Sequence, residues 1–194
     1  MNHSTVLDKQ KQILDAALGL FVAHGFHGTP TSKIAQDAGV ANGTLFHYYK
    51  TKDDLVAGLY NHIKEELATA MSAIIHESDF ITPKFRNTFT HTLHWALQNR
   101  DKFYYIQQFE RSPHMAKISK EAIEQQSVVL SKLIEEGIKK KLLQTHPRDL
   151  IITLFNSQIF GLYQYLTSDE FTPEEERRII TEGYEMVWEM LKYK

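Results

Sequence analysis

Apolar residues along this chain recur at helical spacing almost throughout, and no stretch alternates apolar with polar for long enough to make a strand. Ile13, Ala16, Ala17, Leu20 and Phe21 fall at i, i+3, i+4, i+7 and i+8, the single apolar face of an amphipathic helix. Leu55, Leu59, Ile63, Leu67, Met71 and Ile74 mark a longer stripe of the same kind. The punctuation agrees. Gly25 suits the left-handed position that closes a helix. Thr29-Pro30, Thr82-Pro83 and Thr172-Pro173 each set a capping hydroxyl before a proline that the first helical turn tolerates. Thr172 with Glu175, and Thr51 with Asp54, have the spacing of a capping box. The pattern predicts nine helices, at residues 5–24, 30–37, 42–48, 52–75, 83–99, 102–111, 119–141, 148–167 and 173–192. An all-α fold follows. No internal repeat or flexible linker interrupts it, and the longest break, "HESDFIT" at 76–82, is too short to free two independent domains.

Composition narrows the class. With 194 residues, 42% of them hydrophobic and 24% charged, the chain can bury a real core as an ordinary globular protein. There are no cysteines, which excludes disulfides and thiol chemistry. No run approaches the ~18 apolar residues of a membrane span. The opening "MNHSTVLDKQKQ" has no apolar core of a secretory signal, so a cytoplasmic location is expected. The net charge of -2 hides an asymmetry. Residues 1–52 carry Lys9, Lys11, Lys33, Lys50 and Lys52 against Asp8, Asp15 and Asp37, a net +2, and the remainder carries -4. That sign suits an N-terminal module that meets phosphates. Nothing points to an enzyme: the chain has no nucleophile elbow, phosphate loop, HExxH or clustered carboxylate pair. His91 and His94 stand at i, i+3 on one helix, a spacing open to metal. With no cysteine and no carboxylate nearby, helix-surface or pocket polarity is the better reading, and neither metal nor cofactor is expected.

The stretch "AGVANGTLFHYYKTKDDL", Ala38–Leu55, holds two glycines close together and then a burst of rings. Taken with the preceding helix, it reads as two short helices crossing closely. Ala35 is small enough for the contact, Gly39 suits a turn that needs positive φ, and Ile34, Val40 and Leu45 close a small core beneath. Asn42, Gly43, Thr44, His47 and Tyr48 are then left on the outer side of the second helix. In a helix-turn-helix that side enters the major groove. A helical hairpin with a chance glycine in its turn fits the spacing equally well.

The longer run "GTPTSKIAQDAGVANGTLFHYYKTKDDL", Gly28–Leu55, separates these readings, because it resembles the DNA-binding signature of the tetracycline-repressor (TetR) family. The matching elements are Thr29, the "IAxxAGV" at Ile34–Val40, Gly43-Thr44-Leu45, Tyr48, Lys52 and Leu55, entered from a first helix ending in "FVAHGFHGT". The close match covers about residues 8–60; length and helix count extend a looser one over the whole chain. The resemblance implies a helix-turn-helix DNA-binding domain at residues 1–52, joined through helix 52–75 to an effector-binding and dimerisation domain at 53–194. It implies phosphate contacts from Thr29, Thr31 and Ser32 at one helix start and from Thr51 and Lys52 at another, with Lys33 either on phosphate or on a solvated face. Gly43 would admit close backbone approach, Thr44, His47 and Asn42 would face base edges, and Tyr48 would bond phosphate. Two positions depart from the family pattern. Ala41 stands where a capping serine is usual, a loss of roughly 1 kcal/mol unless Asn42 takes over the cap. Phe46 and Tyr49 stand where Tyr then Phe is common, which removes a hydroxyl at 46; both rings are expected in the core.

Farther along, "RDLIITLFNSQIFGLYQYLT" at 148–167 is apolar on nearly every face, and such a helix must be covered all round. The last helix carries two stripes, Ile180-Tyr184-Val187-Leu191 and Ile179-Met186-Met190, with Trp188 between them. Self-association through these helices is the economical explanation, with Gly161 allowing close approach, and the resemblance implies a four-helix dimer interface there. Phe155, Ile159, Leu162 and Leu166 are the expected interface residues of the first helix; Ile180, Tyr184, Val187, Trp188 and Leu191 are those of the second. Two-fold symmetry then calls for a near-palindromic double-stranded DNA operator. An aromatic-rich region precedes these helices. Phe85, Phe89, His91, Trp95, Phe103 and Tyr104, followed by Phe109, Arg111, Phe155, Gln158 and Tyr163, are the candidates to line a pocket for a small hydrophobic or aromatic effector. The expected function is a dimeric repressor released from DNA by that effector. The alternative is a DNA-localised interaction protein of the same fold with no small-molecule effector.

Overall fold

The computed structural model describes residues 3–73 and 80–193. Among them are ten α-helices: α1 (His3–Gly28), α2 (Thr31–Asp37), α3 (Asn42–Tyr48), α4 (Lys52–Ser72), α5 (Ile81–Gln98), α6 (Arg100–Glu110), α7 (Lys120–Gln126), α8 (Val128–Lys139), α9 (Arg148–Thr167) and α10 (Pro173–Leu191). A 3-10 turn, Pro113–Lys117, joins α6 to α7, and the only pairing of extended backbone among the described residues is a single bridge between Leu143 and Lys192. The last two residues of the predicted helix 52–75, Ile74 among them, with most of the predicted break at 76–82, lie outside the described residues.

The extra helix arises where one was expected at 119–141. That segment breaks at Ser127, whose hydroxyl turns back to the Ile123 carbonyl at 2.9 Å ahead of two β-branched valines. Such back-bonding competes with the helical ladder and bends it. The 3-10 turn starts at a Ser-Pro pair. Ser112 caps it, accepting from the His114 amide at 3.2 Å, and Pro113 fills its first position.

Packing divides the chain into two compact units, one of residues 1–65 and 99–122, the other of 66–98 and 123–194. This differs from a boundary at residue 52. The first half of α4 and all of α6 belong with the N-terminal helices because their rings complete one core. Phe21 and Tyr105 lie 6.1 Å apart, Tyr60 stacks on Phe109 at 4.1 Å, and all four side chains are buried. The polar ends are satisfied in place: Tyr105 donates to the Val56 carbonyl at 2.8 Å and Tyr60 to Glu110 at 3.0 Å. Burial pushes both phenols well above their ordinary range.

In the second unit α5, α8, α9 and α10 pack together around Phe85, Phe89, Phe155 and Tyr184. Phe155 meets Phe85 edge-on at 6.0 Å and Phe89 at 5.4 Å, and Phe89 meets Tyr184 at 5.8 Å. The close approach of α9 to α10 depends on Gly183, where a Cβ would stand 2.4 Å from Leu162; Gly161 has open space around it instead. The capping box of α10 is complete, with Thr172 accepting from the Glu175 amide at 3.3 Å and Glu175 accepting from the Thr172 amide at 2.8 Å. Thr82, expected as a cap, lies inside α5.

Two glycines make opposite predictions. A Cβ on Gly58 of α4 would fall 2.6 Å from the Tyr49 ring, whereas one on Gly19 of α1 would meet nothing within 4 Å. Gly58→Ala is expected to lose about 1–3 kcal/mol of stability through overpacking, and Gly19→Ala to gain roughly 0.5–1 kcal/mol from helix propensity. Chemical denaturation of the two variants checks this; equal effects would show that the Tyr49 ring is not held against α4.

Candidate nucleic-acid interface and ligand cavity

The turn between α2 and α3 is built by backbone bonds that place one residue in the left-handed region. Gly39 has φ +66°, its amide donates to Gln36 at 3.1 Å, and the Val40 amide donates back to Ala35 at 3.0 Å. This pair of bonds is the Schellman closure of α2, and a side chain at 39 would be strained there. Ile34 and Leu45 are fully buried beneath the turn and Val40 is half-buried, as the spacing implies.

Leu45 and Tyr49, four residues apart, set which way α3 faces. Leu45 is buried on α2, while Tyr49 lies on Gly58 with its hydroxyl accepting from Gln10 at 3.2 Å. With that side turned inward, Asn42, Gly43, Phe46 and His47 are the exposed face, at i, i+1, i+4 and i+5, and Thr44 and Tyr48 are half-buried at its border. The His47 and Tyr48 rings meet edge-on at 5.6 Å. Phe46 corrects the expectation of a core residue: its side of α3 is not the Leu45 side, and 37% of the residue is exposed. Ala41 is the N-cap residue with no side-chain bond to the helix, and Asn42 is already the first helical residue rather than a replacement cap.

The expected phosphate contacts separate. Thr29 is only 1% exposed, and its hydroxyl donates inward to the Gly25 carbonyl at 2.9 Å and the Leu20 carbonyl at 3.1 Å. Gly25, at φ 70°, ends the regular part of α1, so those carbonyls need a donor and Thr29 supplies it. It is therefore a structural residue of the α1–α2 junction, and Pro30 occupies the N-cap position of α2. Thr31 is half-buried, Ser32 is exposed, and Lys33 is exposed while paired with Asp37 at 2.8 Å. Thr51 caps α4 reciprocally with Asp54, both bonds being 3.0 Å. The Lys52 ammonium reaches the His27 carbonyl at 3.5 Å, which tethers the start of α4 to the end of α1. Asp53 next to it is held by Lys117 at 3.0 Å, and that bond draws its carboxyl below the usual range.

The second unit contains a solvent-open cavity of about 680 Å³. Ala70 and Met71 of α4, His91, His94, Trp95 and Gln98 of α5, and Phe171, Pro173, Glu176 and Arg177 at the start of α10 line it. That size falls among small-molecule sites, as does the mixture of rings with a few polar groups. The His91 Nδ1 lies 2.9 Å from the Asn87 carbonyl, which can only accept, so Nδ1 is the donor. Arg177 is paired with Glu174 at 2.9 Å. Of the expected pocket residues only His91 and Trp95 line this cavity. Phe85, Phe89 and Phe155 are consumed by the core of their unit, and Tyr163 is buried. Gln158 is exposed on α9. Phe103 and Phe109 are core residues of the other unit, where Tyr104 and Arg111 are exposed. Aromatic content could not separate these cases, because a ring that fills a core and a ring that walls a cavity have the same spacing. Phe171 and Arg177 carried a usable signal: they flank the Thr172-Pro173 cap, which fixes where they emerge.

The residues expected at the dimer interface lie mostly inward. Phe155, Ile159, Leu166, Ile180, Tyr184, Val187 and Leu191 are all buried within the chain's own unit, and Leu162 lies on Gly183. Trp188 is half-buried and packs toward Phe85 at 6.0 Å. The apolar side chains left exposed on these two helices are Leu150 and Tyr165 of α9 and Met186 and Met190 of α10, with Met186 at 73%.

Comparison with known proteins agrees with the fold and the turn. The model described as "Bacterial regulatory proteins, tetR family" matches residues 13–59, and the "Tetracyclin repressor-like, C-terminal domain" matches residues 59–193. A fatty acid metabolism regulator protein of Bacillus subtilis is 38% identical over 69 residues, 36% of this chain and 36% of the relative. The RutR regulator of Escherichia coli is 42% identical over 55 residues, 28% of this chain and 26% of the relative. The chain thus spans only about a quarter to a third of the length of these curated relatives. Among solved structures, a putative tetR family transcription regulator from Shewanella sp. PV-4 superposes with a TM-score of 0.87 at 28% identity, covering 96% of this chain and 99% of that one. The FadR regulator of Bacillus subtilis in complex with stearoyl-CoA shares the fold with a TM-score of 0.75 at 21% identity, over 93% of this chain and 96% of that one. With family models matching it from residue 13 to residue 193, and with the Gly39 turn setting α3 against α2, the chain belongs to the TetR family of bacterial regulatory proteins.

Proposed function

We propose that this protein is a homodimeric transcriptional repressor that leaves a near-palindromic operator when a small effector enters the cavity of the second unit. The exposed face of α3 carries the proposal. A seven-residue helix anchored by Leu45 and Tyr49 presents Asn42, Gly43 and His47 outward, with no core of its own to cover them. Thr44 and Tyr48 border the face and Lys52 stands at the start of the next helix, where charge and hydroxyl groups hold phosphate. Thr31, Ser32, Lys33 and Thr51 complete the phosphate contacts, and Thr29 is left out because its hydroxyl is already spent. Self-association uses Leu150, Tyr165, Met186 and Met190, the apolar residues of α9 and α10 that the chain's own core does not cover, with the open space at Gly161 admitting a neighbouring helix. The effector is hydrophobic or aromatic with a polar end, matching rings beside His91, His94 and Arg177. Acyl-CoA is the first compound to try, given the stearoyl-CoA bound by the FadR structure of similar fold.

Base contacts and phosphate contacts respond differently to mutation. His47→Ala is expected to lower affinity for a selected operator by about ten- to a hundredfold while leaving random-sequence binding nearly unchanged. Lys52→Ala is expected to weaken both alike and to flatten the dependence of affinity on salt. Electrophoretic mobility titrations at two salt concentrations measure this, and equal losses on both DNAs for the His47 variant would remove His47 from the base-reading face.

The cavity makes its own prediction. An effector can release DNA only by binding the non-binding conformation more tightly, so effector and operator must oppose each other's affinity by the same factor. Stearoyl-CoA is expected to weaken operator binding at least fivefold, and Trp95→Ala to abolish that response while keeping operator affinity in the absence of ligand. Titration by fluorescence anisotropy of labelled operator checks both. An unchanged response in the Trp95 variant would place the effector elsewhere, and no response to acyl-CoA would remove that effector class.

A further inference from the structure

We infer that Phe46 is a sequence-reading residue that recognises the 5-methyl group of a thymine in the major groove; this rests on the proposal that α3 enters that groove. The observation is the placement of the ring. Phe46 is 37% exposed, on the same face of α3 as Asn42, Gly43 and His47, and it makes no ring contact among the described residues. Earlier on the same face Gly43 contributes no side chain, with open space where a Cβ would be. Phe46 therefore shares the surface proposed to meet base edges with a bare stretch of backbone.

The chemistry of the ring selects its partner. A phenyl group has neither donor nor acceptor, so it gains nothing from phosphate oxygens or from the polar atoms of guanine, adenine and cytosine. It has one apolar partner in the major groove of unmodified DNA, the thymine methyl. Leaving an aromatic ring against polar base edges would cost desolvation without return, so the same residue also disfavours the other bases at that position. A tyrosine at 46 would have the choice of a phosphate oxygen; this chain has removed that choice. His47, adjacent on the same face, supplies a polar contact, so the pair reads an apolar group and a hydrogen-bonding group side by side.

Replacing thymine by uracil removes only the methyl group and tests this directly. The full-length protein is used to select duplexes from a random pool, and each thymine of the selected site is then replaced singly by deoxyuridine. At one thymine in each half-site, the uracil duplex is expected to bind the unaltered protein about fourfold more weakly, the value of one buried methyl-sized group. Phe46→Ala should bind thymine and uracil duplexes equally at that position while keeping its sensitivity elsewhere. Phe46→Leu, which keeps an apolar side chain, should retain part of the discrimination. Uracil tolerance at every position in the unaltered protein, or the same uracil losses in protein and Phe46→Ala alike, would overturn the assignment. Selection that enriches no sequence would instead defeat the DNA-binding reading beneath it.

Discussion

The contact on which the first unit turns is the Tyr49 ring lying against Gly58. α3 has seven residues, too few to hold a helix by its own hydrogen bonds. Its direction is imposed by two inward residues one turn apart, Leu45 and Tyr49, and the second of these reaches two elements at once. The ring fits on α4 because residue 58 has no side chain, and the phenolic oxygen is bonded by Gln10 from α1. Burial raises the Tyr49 phenol above its ordinary value, while the Gln10 bond pulls the other way, so the group stays neutral through the physiological range. Once Leu45 and Tyr49 point inward, the 3.6-residue period leaves little choice. Asn42, Gly43, Phe46 and His47 must point out.

The same economy governs the aromatic residues of the rest of the chain. A ring that completes one unit's core is unavailable to a ligand, and most of them are committed in this way. Tyr60, Tyr105 and Phe109 close the first unit; Phe85, Phe89, Phe155 and Tyr184 close the second. The cavity is left with Trp95 and Phe171, both half-buried, and its polar groups come from α5 and the first turn of α10. The reciprocal Thr172–Glu175 cap starts α10 at that place and so positions Glu176 and Arg177 on the wall. On α10 the division is between stripes. Ile180, Tyr184, Val187 and Leu191 serve the chain's own core, and the Met186-Met190 side stays exposed.

How far the fold was legible depended on whether its cause was local. The bounds 42–48 and 148–167 were readable residue for residue, because they rest on glycine, proline and helical period within a few positions. Gly39 could be assigned its left-handed turn, and Thr51–Asp54 and Thr172–Glu175 their reciprocal caps, for the same reason. What escaped was decided by distant partners. Thr29 looks like a helix cap, yet the carbonyls freed by Gly25 claim its hydroxyl. Phe46 looks like core until Tyr49, three residues later, takes the place against α4. Apolar character all round α9 did not say which stripe faces inward; that depended on the rings of α5. In the proposed DNA site, therefore, the helix and most of its outer residues were visible in advance, while the exclusion of Thr29 and the addition of Phe46 needed the packing.

The measurement closest to the central claim is chemical interference on a selected duplex, comparing methylation at guanine N7, which lies in the major groove, with methylation at adenine N3, which lies in the minor groove. If two copies of α3 face the DNA as described, guanine N7 methylation will block binding in two clusters on one face of the duplex, about 10–10.5 base pairs or roughly 34–36 Å apart. Interference confined to adenine N3, or a single unrepeated cluster, would contradict the placement of α3 and the symmetry proposed for the protein.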